Sequence, residues 1–158
     1  MAERKYWLFK SEPMAYSFSD LLSESDQTAE WDGVRNYQAR NYMRDEMKVG
    51  DGVLFYHSSN GSQAVVGTAR IIQEAYPDHT AWDPGSKHYD PKSTPNNPIW
   101  FMVDIRADKE FARPVTLKEV KGNPRLQDML LARRGIRLSI QPVSKEEWEE
   151  IIDLGTRP

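Results

Sequence analysis

Gly52-Val53-Leu54-Phe55-Tyr56-His57-Ser58 reads as a β-strand, with Val53, Phe55 and His57 on one face and Leu54, Tyr56 and Ser58 on the other. Ser59-Asn60-Gly61-Ser62 follows, and Asn-Gly is the strongest short hairpin signal because both central positions of the turn take positive φ. Gln63 through Ala75 is then expected to return antiparallel, with Gly67 at a bulge or a close backbone approach. A hairpin at the middle of the chain sets the expectation for the rest. Tyr6 through Ser11 is a further strand, stopped at Glu12-Pro13, with Lys10 and Glu12 on one face and Ser11 on the other. Ile99 to Ile105 alternates with one strongly apolar face, and Arg137 to Pro142 makes a closing strand with Arg137, Ser139 and Gln141 on one side.

Short helices are expected between these strands. Ser17 caps one through Leu21-Leu22, and Asn36 caps another that begins at Tyr37. The second has Ala39, Tyr42, Met43 and Met47 on one stripe and ends at Val49-Gly50-Asp51. Asn123-Pro124 starts a helix with Leu126, Met129 and Leu130 inward, ended by Gly135. Ser144 and Glu147 form a capping box ahead of a last helix that buries Trp148, Ile151 and Ile152. Pro77 to Pro98 reads as a long surface loop carrying His79, Trp82, His88, Tyr89 and Lys92. Five or six hairpin-linked strands with short helices predict an α+β domain over residues 1–158, built on a curved or barrel-like antiparallel sheet. No βαβ repeat, phosphate-binding glycine loop or internal repeat is present.

Composition narrows the function classes. The 158 residues are 39% hydrophobic and 28% charged, which is globular. There is no cysteine, so disulfide scaffolds and thiolate zinc sites are excluded. The N-terminal apolar run is too brief for a signal peptide and no stretch is long enough to span a bilayer, so a cytoplasmic protein with no membrane partner is expected. A net charge of −3 argues against a uniformly basic coat for nucleic acid. Between residues 113 and 137, however, Arg113, Lys118, Lys121, Arg125, Arg133, Arg134 and Arg137 face only Glu119 and Asp128. That run is either a local basic patch or a solvated charge run.

Three chemistries compete. His79 and His88 with Asp78, Asp83 and Asp90 lack zinc spacing and read as solvated loop residues. Ser58 or Ser11 with His57 and Asp32 can be drawn as a hydrolase, but no nucleophile elbow supports it, and Glu12 has no partner at glycosidase spacing. Binding therefore stands ahead of catalysis. Trp7, Trp31, Tyr37, Tyr56 and Trp100 supply flat faces, and Ser11, Glu12, Asn36, Ser58 and Ser139 supply directional hydrogen bonds, the mix that a flipped nucleobase requires. In Trp31-Asp32-Gly33-Val34-Arg35-Asn36-Tyr37-Gln38-Ala39-Arg40, a glycine turn opens a helix with two arginines at its N-terminus. It is either an ordinary loop and amphipathic helix or a wall for a base. Trp148 and Phe101 read as core, whereas Trp31 sits among polar residues and reads as a wall.

Tyr6-Trp7-Leu8-Phe9-Lys10-Ser11-Glu12-Pro13, the Trp31–Arg40 stretch, Phe55-Tyr56-His57-Ser58 and Arg137-Leu138-Ser139-Ile140-Gln141-Pro142-Val143 together resemble the EVE-domain family. The resemblance runs from Tyr6 to about Leu154. It implies an α+β, PUA-like pseudo-barrel of mainly antiparallel strands with short peripheral helices, related to YTH and ASCH domains. It also implies uptake of a modified base, with modified cytosine foremost, from DNA or RNA; no metal, organic cofactor or turnover is expected, and the sequence leaves the oligomeric state open, with a monomer favoured. Carried over by motif, Lys10, Ser11 and Glu12 line the pocket from the first strand. Trp31 is the aromatic wall, with Asp32, Gly33 and Val34 around the base edge. Arg35, Asn36, Gln38 and Arg40 hold phosphate or the base, Tyr56, His57 and Ser58 close another side, and Arg137 and Ser139 come from the final strand. The alternatives are an enzyme acting on RNA or a modified nucleotide, and a protein-interaction module that binds through the 77–98 loop.

Overall fold

The computed structural model describes residues 3–59 and 62–157; the expected Asn60-Gly61 turn lies outside them. Six strands, β1 (Tyr6–Ser11), β2 (Thr28–Glu30), β3 (Gly52–His57), β4 (Ala64–Pro77), β5 (Phe101–Thr116) and β6 (Ile140–Val143), form one sheet in the order β2-β5-β4-β3-β1-β6. The sheet is open and mixed. β1 and β3 run parallel, with Trp7 beside Val53 and Ser11 beside His57, while the other neighbours are antiparallel. Among the described residues, four α-helices flank it: α1 (Phe18–Ser23), α2 (Tyr37–Asn41), α3 (Leu117–Gly122) and α4 (Lys145–Thr156). Among the described residues, no helix is long and apolar enough to cross a membrane.

The period of two in the central strands gives the sheet two apolar faces. Trp7, Phe9, Val53 and Phe55 pack on one side with Phe18, Leu21, Ala39, Met43 and Met47. Leu8, Leu54 and Tyr56 pack on the other with Val120, Leu126, Met129, Trp148 and Ile151. β1 is therefore apolar along most of its length. Capping follows the sequence: Ser17, Asn36 and Ser144 each accept from a backbone N–H in the first turn of α1, α2 and α4. After α2 the chain widens into a π-type turn over Tyr42–Glu46, closed by Met47 N–H donating to the Tyr42 carbonyl at 3.0 Å.

Three expectations from the sequence need correction. β5 does not stop at Ile105 but runs on to Thr116. Its pairing with β4 shifts register four times, so Phe111 and Val115, though in step with Ile105 along the chain, pack in the cluster on the opposite face of the sheet. The stretch after Asn123 forms two 3₁₀ turns, Pro124–Leu126 and Leu130–Ala132, rather than one helix, because Met129 between them is extended. Leu131, not Leu130, is then the buried residue there. The closing strand begins at Ile140, which leaves Arg137 exposed ahead of it.

Gly67 is both bulge and close approach. Phe55 pairs with Gly67 and Tyr56 with Val65, so Val66 is the extra residue. A Cβ on Gly67 would lie 2.6 Å from Phe18 Cζ and 2.7 Å from the Lys109 carbonyl oxygen. Gly67→Ala is expected to destabilise the protein by about 1–3 kcal/mol, the usual range for forced overpacking, with a matching drop in the denaturant midpoint. An unchanged midpoint would mean that α1 and the β5 backbone at Lys109 both move aside freely.

Candidate functional site

A pocket of about 620 Å³ opens beside the C-terminal end of β1. One wall is Lys10, Ser11 and Glu12 with Ser139, whose carbonyl accepts from Lys10 N–H at 2.8 Å. The turn after β1 adds Ala15 and Tyr16, held by the N–H groups of both donating to the Glu12 carbonyl at 2.9 and 2.8 Å. The third side runs from Ala29 to Arg35, and the fourth is Ser86, Lys87 and His88. The volume is in the range that holds a planar heterocycle.

Trp31 extends β2 by one link, its N–H donating to the Val103 carbonyl at 2.8 Å. Its indole packs against Phe9, Phe55 and Tyr16, with ring centroids 5.3, 5.5 and 6.2 Å away. The ring is thus fixed from behind by core aromatics while it lines the pocket. It is a wall and a core residue at once. Burial, then the charges of Glu24 and Asp20, push the Tyr16 phenol up to about 12. Its oxygen is shut off from solvent with no partner among the described residues, so Tyr16 offers the pocket its ring.

The wall from Trp31 to Arg35 is locked to the long loop by Asp78, which is 0% exposed. Its carboxylate accepts from Gly33 N–H at 2.8 Å, Arg35 Nη1 at 3.0 Å, and the N–H and hydroxyl of Thr80 at 2.9 and 2.6 Å. Burial alone would raise the Asp78 pKa, but the hydrogen bonds from Thr80, Gly33 and Arg35 and the Arg35 charge outweigh it and hold the acid below its ordinary range. Arg35 also donates to the carbonyls of Val34 and His88 and reaches the Thr80 hydroxyl. All five of its N–H groups are used inside the protein, so it braces the wall and has none left for phosphate. Gly33 has φ +78°, and a Cβ there would lie 2.5 Å from the His88 imidazole. The turn and the contact both require glycine.

The remaining candidate residues do not line this pocket. Asn36 spends its side chain on Ala39 N–H, and Gln38 donates to the Tyr42 hydroxyl. Arg40 donates to the Ile99 carbonyl and Asn41 and lies over the Tyr37 ring at 4.9 Å. Tyr56 is buried in the core on the opposite face of the sheet, where burial pushes its phenol up to about 12. Lys10 Nζ sits 6.0 Å from the centroid of that ring, and burial lowers the ammonium pKa. His57 accepts from Phe18 N–H through Nε2 at 3.1 Å, which places its proton on Nδ1 and lets it hold α1 in place. Burial lowers the His57 pKa, against a smaller opposing pull from Glu12. Ser58 pairs by its backbone with Ser11. Of the sixteen expected site residues, the pocket brings together Lys10, Ser11, Glu12, Trp31, Asp32, Gly33, Val34, Arg35 and Ser139.

The motifs did not point to Ala15, Tyr16, Glu24, Ala29, Glu30, Ser86, Lys87 or His88. His88 could have been found as an aromatic in a loop too long to be idle. Acids dominate the lining. Glu12, Glu24, Glu30 and Asp32 face Lys10 and Lys87, since Arg35 is neutralised by Asp78. Asp32 has its pKa raised by burial and then by the Asp78 charge. Asp78 and Asp90 are not solvated loop acids either, for Asp90 accepts from Trp100 Nε1 at 2.8 Å. The basic run is partly spent as well: Arg113 pairs with Glu119 at 2.8 Å and Arg125 with Glu150 at 3.8 Å.

Removing Asp78 strands Arg35 and leaves Gly33 N–H without its partner. Asp78→Ala is expected to lower stability by about 3–5 kcal/mol at neutral pH. A depressed folded pKa stabilises above the unfolded value and is lost as pH falls through the folded one. The difference between variant and wild type should therefore persist from neutral pH down to about 4 and shrink below it. Denaturant melts of both proteins across pH check this, and a gap that closes near pH 6 would contradict it.

Comparison with known proteins agrees with this architecture. The EVE domain family model matches residues 5–154. Thymocyte nuclear protein 1 of Mus musculus is 43% identical over 167 aligned positions, covering 94% of this chain and 73% of that protein. The crystal structure of human THYN1 in complex with 5-methylcytosine-containing DNA superposes with a TM-score of 0.89 at 40% identity, covering 98% of this chain and 99% of that one. A more distant structure, the YTH domain of Zygosaccharomyces rouxii MRB1, matches at TM-score 0.57 and 14% identity and shares the PUA-like fold alone. With the fold, the motifs and the family model in agreement over almost all of its length, the chain belongs to the EVE-domain family.

Proposed function

We propose that this protein binds DNA carrying a modified cytosine and takes the base, flipped out of the helix, into the pocket beside Trp31. The observation that carries the reading is the pairing of a fixed indole with an acid-rich lining in one pocket that has room for a base. An aromatic face stacks any base, contributing about 1–3 kcal/mol. Carboxylates favour a base with an exocyclic amine, a donor that cytosine presents and thymine or uracil lacks. Such a lining repels phosphate, and Arg35 has no donor left to offset that. The human relative bound to 5-methylcytosine DNA supports the same ligand class. No step of covalent chemistry is assigned: the residues hold and orient a base and leave it intact.

Magnitudes bound the selectivity. One buried methyl group contributes about 0.8 kcal/mol, so methylated over plain cytosine should be favoured by roughly fourfold through contact alone. An oxygen-bearing mark that finds a partner in the pocket is discriminated more sharply.

Two variants test the assignment in fluorescence-anisotropy titrations with duplexes that differ at one cytosine. Trp31→Ala should lose the preference for the modified duplex and weaken binding by roughly tenfold. It should also lose about 3 kcal/mol of stability, since the indole packs on the core, so binding is measured well below the melting temperature. Asp32→Asn removes an acceptor without changing shape and should weaken cytosine binding by roughly tenfold while the fold stays intact. Wild-type affinity in both variants would remove the pocket from the binding site.

A further inference from the structure

We infer that Met14 is a wedge that enters the duplex and fills the gap left by the flipped base; the inference rests on the base-flipping reading above. Met14 is 91% exposed, the most exposed large apolar side chain among the described residues. It lies at the rim of the pocket, because Glu12 on one side of it in the chain and Ala15 and Tyr16 on the other all line that pocket. The loop that presents it is not slack. Pro13 fixes one φ angle, and the N–H groups of Ala15 and Tyr16 close on the Glu12 carbonyl. The Ser11 hydroxyl donates to the Tyr16 carbonyl, so the turn is fastened to β1 as well. A rigid turn thus holds an unbranched apolar side chain out into solvent beside a pocket with room for a base.

That placement matches a physical need. Extracting a base leaves its neighbours unstacked and a void in the helix, and proteins that unstack DNA insert Phe, Leu, Ile, Met or Pro there. Methionine is thin and adaptable enough to slide between base pairs. The other exposed large apolar residues are placed or occupied differently. Tyr37 stacks on Trp100 with centroids 4.9 Å apart, beneath Arg40, and Val49 lies beside the turn into β3. Tyr89 follows His88 on the facing wall and is 44% exposed, half as free as Met14. The partner so recognised is a stacked duplex; a single strand has no gap to fill.

The test compares wild type, Met14→Ala and Met14→Leu on one 5-methylcytosine oligonucleotide, as a duplex and as a single strand. Because the side chain packs on nothing, all three proteins should melt alike. Met14→Ala should weaken duplex binding by roughly five- to tenfold, as the loss of one well-buried apolar contact does, and leave single-strand binding unchanged. Met14→Leu, which keeps a wedge, should restore most of the duplex affinity. A 2-aminopurine placed beside the modified cytosine reports unstacking, and its fluorescence rise on binding should diminish with Met14→Ala. Equal weakening of duplex and single strand, or no weakening of either, overturns the wedge. Failure of wild type to prefer the modified base in either probe instead overturns the base-binding reading on which the wedge rests.

Discussion

Everything at this site hangs on one buried carboxylate. Asp78 is sequestered from solvent and holds a backbone N–H, a guanidinium and a hydroxyl at once. A buried charge is tolerated only when its lone pairs are filled, and here the bonds that fill them come from both the Gly33–Arg35 stretch and Thr80. Gly33 brings the strand-to-helix turn, Arg35 the start of α2, and Thr80 the long loop. Arg35 then carries the fastening on to the His88 carbonyl, so the two walls on either side of Gly33 are tied together. Trp31 is aimed by its place between this tie and the aromatic core behind it. The pocket is preorganised on the protein's own polar contacts, with little ordering left for a ligand to bring about.

A consequence is a division of labour among the cations. Arginines beside a helix N-terminus look like phosphate clamps in a sequence. Here Arg35 and Arg40 are committed to carbonyls, a carboxylate and stacking, which turns the Trp31–Arg40 stretch into scaffold facing an acid-rich cavity. Lys10, Lys87 and the exposed Arg133, Arg134 and Arg137 are the cations that the proposed reading leaves for a nucleic-acid backbone. On the proposed reading, a net charge of −3 leaves affinity for DNA to come largely from the base.

The legible part of this structure was whatever rests on local chemistry. Strands β1, β3 and β4, the caps at Ser17, Asn36 and Ser144, and the bulge at Gly67 follow from residue type and short spacing. The four motifs then located the β1 and Trp31 walls of the pocket. What escaped depends on contacts between distant segments. β2 has three residues and exists only because β5 pairs with it, and β5 itself hides behind register shifts that scramble its alternation. Asp78 looked like one more loop acid until its partners, more than forty residues away, were visible. His57 is similar: its position suggested a pocket wall, yet its ring nitrogen is spent on Phe18 N–H. A motif fixes where a residue sits in the chain. The role is decided by what lies across from it.

The central claim is that recognition is of the base rather than of the backbone, and salt separates the two. The measurement is the affinity of the wild-type protein for a duplex with one 5-methylcytosine and for its unmodified twin, over rising salt. Backbone contacts release counterions, so both affinities should fall as salt rises, with a shallow slope set by few phosphate contacts. The ratio between the duplexes should stay above one and nearly constant, because stacking and carboxylate–amine contacts release no counterions. Equal affinities for both duplexes with a steep common slope would contradict the account and leave a protein that binds DNA by charge alone.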